Sequence, residues 1–110
     1  MSITLSKSQK RIARELIESS LQKECAKFLD KIEKFVSNRN NKTPHEAYLA
    51  LYKKVKSFDK HIAKRYNDIR GATYFNVILG LFIDKVITME ELSRFDEDMQ
   101  EKILNFAKLY

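Results

Sequence analysis

Apolar side chains recur at helical spacing through the first third of the chain. From Leu21 onward they step by four and three residues, which places them along one side of an α-helix. We therefore predict a first helix over residues 7–37. The apolar series is disturbed at Ser19 and Ser20, where we expect a kink. Its members are Ile12, Leu16, Leu21, Cys25, Phe28, Ile32 and Phe35.

The clearest helix start in the sequence lies at Thr43. Thr43 can cap the helix, Pro44 suits its first position, and Glu46 stands three residues after the cap, which is the pattern of a capping box. We expect this second helix to end at Gly71. Because both helices carry an apolar series and a short polar loop joins them, we predict an antiparallel helical hairpin. The second series is Ala47, Leu51, Val55, Phe58, Ile62, Tyr66 and Ile69.

The segment from residue 72 to residue 85 is apolar on most sides of a helix, which is typical of a helix at the centre of a fold. A buried strand is the alternative, because β-branched and aromatic residues are frequent in it. No second strand-like segment is present in the sequence to pair with it. We therefore predict a third helix.

Two further helix starts follow this central segment. Thr88 and Glu91 form a second capping box, which opens a short helix through Phe95, and Asp96 can cap a last helix. The predicted fold is all-α. It is a single-domain bundle of four to five helices over residues 1–110, in which a long N-terminal antiparallel hairpin packs on a central apolar helix.

Composition supports this fold and bears on the cellular compartment. The chain contains only two glycines and one proline, which favours long helices over many short strands. Its single cysteine excludes an internal disulfide and fits a reducing compartment. No apolar stretch is long enough for a membrane span of about 20 residues, and the N-terminus lacks the apolar core of a signal peptide. We predict a cytoplasmic protein without a membrane partner.

The sequence carries no enzyme signature. Cys25 lies within the apolar series of the first helix, so we interpret it as a structural thiol. His45 and His61 have no companion ligand at zinc-binding spacing. The paired carboxylates near residues 90 and 97 fall in first turns of helices, where the helix dipole favours acids. We predict no catalytic residues, no metal and no cofactor.

Lysine stripes offer a stronger indication of function. The net charge of +6 is concentrated in the first two thirds of the chain, and the last forty residues are acidic. On the second helix, four lysines fall within about one quarter of the circumference, and Arg65 flanks them. Such a face could bind an anionic partner or could simply be solvated. The residues are Lys53, Lys56, Lys60 and Lys64, with a similar stripe at Lys23, Lys27, Lys31 and Lys34.

The junction before the third helix is the other candidate contact. Asp68 and Arg70 lie two residues apart in a polar stretch between two apolar segments. Either they form a structural network at the helix ends, or they contact a ligand or partner.

The function that these features favour is non-catalytic. We expect a small cytosolic binding or regulatory protein that acts through protein–protein contacts, with the general build of small inhibitors, antitoxins and immunity proteins, an analogy of size and class only. The alternative is an accessory protein that binds nucleic acid through the lysine faces. A homodimer is also expected if the first helix stays straight, because apolar Ile12, Leu16 and Ile17 near its start need cover.

Overall fold

The computed structural model describes residues 3–67, 69–71 and 73–110, and every regular element in these ranges is a helix. This confirms the predicted all-α bundle. None of the helices described is both long enough and apolar enough to cross a bilayer. The five helices are α1 (Lys7–Ser37), α2 (Pro44–Tyr66), α3 (Tyr74–Ile83), α4 (Met89–Leu92) and α5 (Glu97–Ala107).

The helix α1 continues as one helix through Ser19 and Ser20, where we expected a kink. The Ser19 hydroxyl donates to the Leu16 carbonyl at 3.1 Å, so it is satisfied within the helix and does not interrupt it. Ser20 is fully buried.

Both predicted capping boxes are present. At the start of α2, the Glu46 amide donates to Thr43 Oγ1 and the Thr43 amide donates to the Glu46 carboxylate, each at 3.2 Å. Thr88 and Glu91 make the same reciprocal pair at the start of α4. These helix starts are predictable from the sequence because a capping box involves only two residues, three positions apart.

The ends of α2, α3 and α4 differ from the prediction. The helix α2 ends at Tyr66 because Asn67 has an extended backbone, with φ −79° and ψ 149°. Gly71 therefore does not serve as the expected left-handed cap, and no described glycine has a positive φ. Instead the left-handed residue is Lys85, with φ 60°, just after α3. The helix α4 closes at Leu92, three residues earlier than expected.

The helix α3 is the centre of the fold, as predicted, and packs between α1 and α5. Its Ile78 and Leu81 are completely inaccessible to solvent. An edge-to-face contact between Phe75 of α3 and Phe106 of α5 joins two of the packed helices. The other buried apolar residues of this core are Leu5, Ala13, Leu16, Ile17, Tyr74, Leu79, Ile87, Leu92, Phe95, Met99 and Ile103.

The core covers the beginning of α1 and leaves the other end of the hairpin outside. Leu16 and Ile17 are buried in the core, and Ile12 packs against it. These residues therefore need neither a fold-back of the chain nor a second copy, and our reason for expecting a dimer was wrong. Between residues 21 and 73, Ala47 is the only described residue in the buried class.

The molecule is consequently elongated. It measures 54 × 25 × 25 Å, with a radius of gyration of 17.2 Å. A compact chain of this length would have a radius of gyration of about 13 Å. The extra length is the part of the α1–α2 hairpin that extends past α3 and α5.

Candidate functional site

We call residues 26–60, which lie beyond the core, the distal hairpin. Its two helices meet through a parallel stack of Phe28 and Phe58, whose ring centroids are 4.1 Å apart. The Lys54 ammonium also lies 5.1 Å from the centre of the Phe35 ring. These contacts hold α1 and α2 together, but they cover only one side of each helix.

One side of the distal hairpin carries exposed apolar side chains. Val36 of α1 and Tyr48 of α2 line the same shallow depression of about 180 Å³ next to the interhelical loop, so the two helices present these residues side by side. Leu29 lies seven residues before Val36, on the same side of α1. The apolar face consists of five residues of the distal hairpin that are between 46% and 63% exposed, namely Leu29, Val36, Tyr48, Tyr52 and Val55.

A basic groove lies where the hairpin meets the turn after α3. On α1, Lys27 and Lys31 are each rotated by about 160° from Leu29, and both line a groove of about 420 Å³. The groove lies between α1, α2 and the turn that follows α3. We call it the cationic groove, and its lining residues are Lys23, Glu24, Lys27, Phe28, Lys31, Phe58, His61, Arg65, Asp84, Lys85 and Val86.

A hydrogen-bonded cluster around Glu24 forms one wall of this groove. The carboxylate accepts from Arg65 Nη1 at 3.0 Å and lies 2.8 Å from His61 Nε2. It also accepts from the Tyr66 hydroxyl. Arg65 uses its other terminal nitrogen to reach Asp84, at the end of α3. The cluster therefore ties both helices of the hairpin to the central helix.

Glu24 and Tyr66 shift each other's proton affinity. Burial alone would raise the pKa of Glu24, but hydrogen bonds from Tyr66 and His61 and the charge of Arg65 outweigh it, so the pKa lies below its ordinary value. Burial and the hydrogen bond to Glu24 raise the pKa of Tyr66. Glu24 is thus an anion in the folded protein and Tyr66 a neutral donor, which suits a structural cluster.

A second ion pair closes the groove at its core end. Lys23 Nζ lies 2.8 Å from Glu91 Oε1 and also donates to the Val86 carbonyl at 3.2 Å. Burial alone would raise the pKa of Glu91, but hydrogen bonds from Lys23 and from the Thr88 amide have the larger effect. The pKa of Glu91 therefore lies below its ordinary value. This pair fastens the start of α4 to α1.

The residues of the predicted lysine stripe on α2 lie in different environments. Lys53 and Lys60 are exposed on the outer edge of α2, and Lys56 lies 5.9 Å from the centre of the Tyr52 ring. Lys64 lines a second depression, of about 660 Å³, beside the cationic groove. Arg65 does not share the solvated stripe that we expected, because its side chain is only 13% exposed and is paired with two carboxylates.

The junction residues Asp68 and Arg70 have different outcomes. Asp68 lies outside the described residues. The Arg70 amide donates to Thr73 Oγ1 at 2.7 Å, and the same hydroxyl donates to the Arg70 carbonyl at 3.0 Å. The backbone of Arg70 is thus part of the turn that leads into α3, while the residue remains exposed.

The chemically reactive residue types are dispersed. Cys25 lies on α1 and is partly buried. His45 is exposed at the start of α2, with its ring 6.4 Å from that of Tyr48. No group of three or more histidine, cysteine, aspartate or glutamate side chains is placed to hold a metal ion in the described ranges.

Sequence reasoning missed most residues of the cationic groove, including Phe28, Phe58 and Lys85. Phe28 and Phe58 were assigned only to the hairpin contact, and Lys85 was assigned to the end of a helix. The groove combines aromatic residues with lysines. Pairing the two apolar series across the hairpin would have placed Phe28 beside Phe58, although the position of Lys85 depends on how α3 packs.

Comparison with known proteins finds no family model, no curated sequence and no solved structure that matches this chain.

Proposed function

We propose that this is a non-catalytic binding protein that acts through protein–protein contacts and uses the apolar face as its docking surface. The supporting observation is the exposure of five large apolar side chains along one side of the distal hairpin, which the core does not cover. Water-exposed apolar patches of this kind mark interaction sites. Two of the five are tyrosines, which are enriched in protein interfaces.

The role that fits this surface is that of a small cytosolic regulator, in the general class of inhibitors, antitoxins and immunity proteins. Such a protein needs an accessible binding surface and no catalytic group of its own. The distal hairpin is well suited, because it projects from a separate core and can dock without disturbing that core.

The test compares how well the wild type and two variants bind a partner. Both variants add two negative charges, so they differ only in where the charges lie. In the first variant, Tyr48→Asp and Tyr52→Asp place two carboxylates on the apolar face. In the control, Leu109→Asp and Tyr110→Asp change two residues outside the distal hairpin, which are 75% and 82% exposed. Each tagged protein is used to capture partners from its native host, and the recovered partner is then purified for affinity measurements.

We expect the wild type and the control to bind the same partner, and the face variant to bind it about a hundredfold more weakly, because two interface tyrosines are lost. Analytical ultracentrifugation of each protein alone identifies a second copy of the chain as the partner. Equal binding by the face variant, or a monomer that captures nothing, would contradict the proposal.

A second candidate function is that of an accessory protein bound to nucleic acid. The observation in its favour is that Lys53 and Lys60 are exposed and make no ion pair among the described residues. Binding of this kind weakens with salt in proportion to the phosphates contacted. Retention on DNA or RNA that disappears at moderate salt would favour this candidate, and the apolar-face variant would then bind as well as the wild type.

A further inference from the structure

We propose that the cationic groove is a binding site for a nucleoside phosphate, either a free nucleotide or a nucleotide unit of a single strand. The site goes beyond the proposed protein contact, because none of the five residues of the apolar face lines the groove. Its volume of about 420 Å³ falls in the range of pockets that hold small organic ligands.

Charge is the first argument for an anionic ligand. Of the cations that line the groove, Lys23 is paired with Glu91 and Arg65 with Glu24 and Asp84. Lys27, Lys31 and Lys85 make no ion pair among the described residues. Glu24 and Asp84 also line the groove, and the single charge of Arg65 balances only one of them. The three ammonium groups still outnumber the carboxylate that remains, and a phosphate group can supply the missing negative charge.

The aromatic pair is the second argument, and it specifies what accompanies the phosphate. Phe28 and Phe58 stack with their planes 3° apart and both line the groove. One face of each ring is covered by the other ring, and the remaining apolar surface of the pair lies beside the lysines. Proteins that bind nucleotides of single strands combine these two elements, a basic groove for the phosphates and aromatic rings for the bases.

The backbone at Lys85 is the third argument. The Val86 amide donates to the Leu81 carbonyl and the Lys85 amide to the Phe82 carbonyl, which is the hydrogen-bond pattern that closes a helix with a left-handed residue. Glycine is the usual residue at that position because side chains disfavour positive φ. Here the position is occupied by a lysine with φ 60° that lines the groove. A binding role for its positive charge explains why a strained lysine stands there.

The wall of the groove is rigid enough to hold a ligand. Glu24, Arg65 and Asp84 are linked in series across three elements, and Lys23 fastens the start of α4 to α1. The three lysines without an ion pair therefore project from a framework that is already formed, which reduces the ordering cost of binding.

The experiment uses the full chain and four probes, which are ADP, inorganic pyrophosphate, adenosine and a single strand of eight thymidylates. Binding is measured by isothermal titration calorimetry and by NMR shifts of backbone amides at fixed ionic strength. We expect ADP or the oligonucleotide to bind and to shift amides around residues 27–31, 58–61 and 85. Pyrophosphate and adenosine, which each lack one half of the ligand, should bind more weakly.

Two double variants with equal loss of charge test the location. Lys27→Gln with Lys31→Gln should weaken binding about tenfold or more, because two charge-assisted hydrogen bonds are removed. Lys53→Gln with Lys60→Gln, on the outer edge of α2, should change affinity by no more than about twofold, because salt screens distant charges. Binding of ADP alone identifies a free nucleotide as the source, whereas binding of the oligonucleotide alone identifies a strand.

A third variant, Lys85→Gly, shows whether a loss of binding could be caused by misfolding. Glycine relieves the strain at this position, so this variant should melt at a higher temperature than the wild type and yet bind the active probe more weakly. The proposal is overturned if neither ADP nor the oligonucleotide binds at millimolar concentration, if both double variants lose affinity equally, or if Lys85→Gly binds as well as the wild type.

Discussion

Ser20 places a hydroxyl group in the contact region between α1 and the core. The residue has no solvent exposure, and its Oγ has no hydrogen-bond partner among the described residues. A buried polar atom without a partner costs free energy, because its hydrogen bonds to water are lost and not replaced. Its neighbour Ser19 is exposed and donates to a backbone carbonyl.

We expect Ser20→Ala to raise the free energy of unfolding by about 1 kcal/mol, since it removes the unsatisfied hydroxyl and improves helix propensity. Ser19→Ala is the matched control, and its change should stay within about 0.5 kcal/mol. Urea denaturation of the three proteins measures both values. A loss of stability in Ser20→Ala would show that the hydroxyl is hydrogen-bonded after all.

At the scale of elements, the Glu24 cluster connects the hairpin to α3. Glu24 has a lowered pKa in the folded chain, compared with an ordinary value of 4.5. A carboxyl group of this kind stabilises the fold above its unfolded pKa, and that stabilisation is lost as the pH falls through the lower, folded pKa. Acid should therefore weaken the attachment of α2 to the rest of the fold.

We expect Glu24→Gln to lower the free energy of unfolding at pH 7 by about 2 kcal/mol, because charged hydrogen bonds to Arg65 and His61 are lost. The variant should also lose less stability than the wild type as the pH is lowered below 4.5. Glu33→Gln, on an exposed part of the same helix, serves as the control. Denaturation curves over a series of pH values measure the effect, and parallel pH profiles for Glu24→Gln and the wild type would contradict it.

At the scale of the whole molecule, the core and the distal hairpin differ in how well they are covered. The buried residues lie near the start of α1 and in the chain after residue 73, with Ala47 as the exception. The distal hairpin is held mainly by contacts between its own two helices. Regions with few buried contacts open at lower free energy than the core.

Amide hydrogen exchange should show this difference directly. We expect residues 30–55 to exchange through partial opening, well before residues 13–20 and 74–83, which should exchange only on global unfolding. Measurements at several protein concentrations provide the control. Protection of residues 30–55 that rises with concentration would reveal a second copy on the apolar face, and protection equal to that of the core at every concentration would contradict the prediction.

The sequence by itself determined the helices and their starts. The caps at Thr43, Thr88 and Asp96 act over three residues, so local chemistry is sufficient to place them. The step of four and three residues likewise identifies an apolar side of each long helix, because helical geometry alone determines which residues share a side. The central position of α3 also followed, since a helix that is apolar on most sides has to be buried.

Only the tertiary structure decided which apolar residues are covered. The first and last halves of α1 both carry apolar side chains, but α3 packs on the first half and the distal hairpin stays exposed. The same packing brings Lys85 beside Lys27 and Lys31 and turns Arg65 toward Glu24. These pairs are far apart along the chain, and burial and pairing depend on which surfaces of the folded chain meet. That is why the cationic groove and the apolar face could not be predicted from spacing alone.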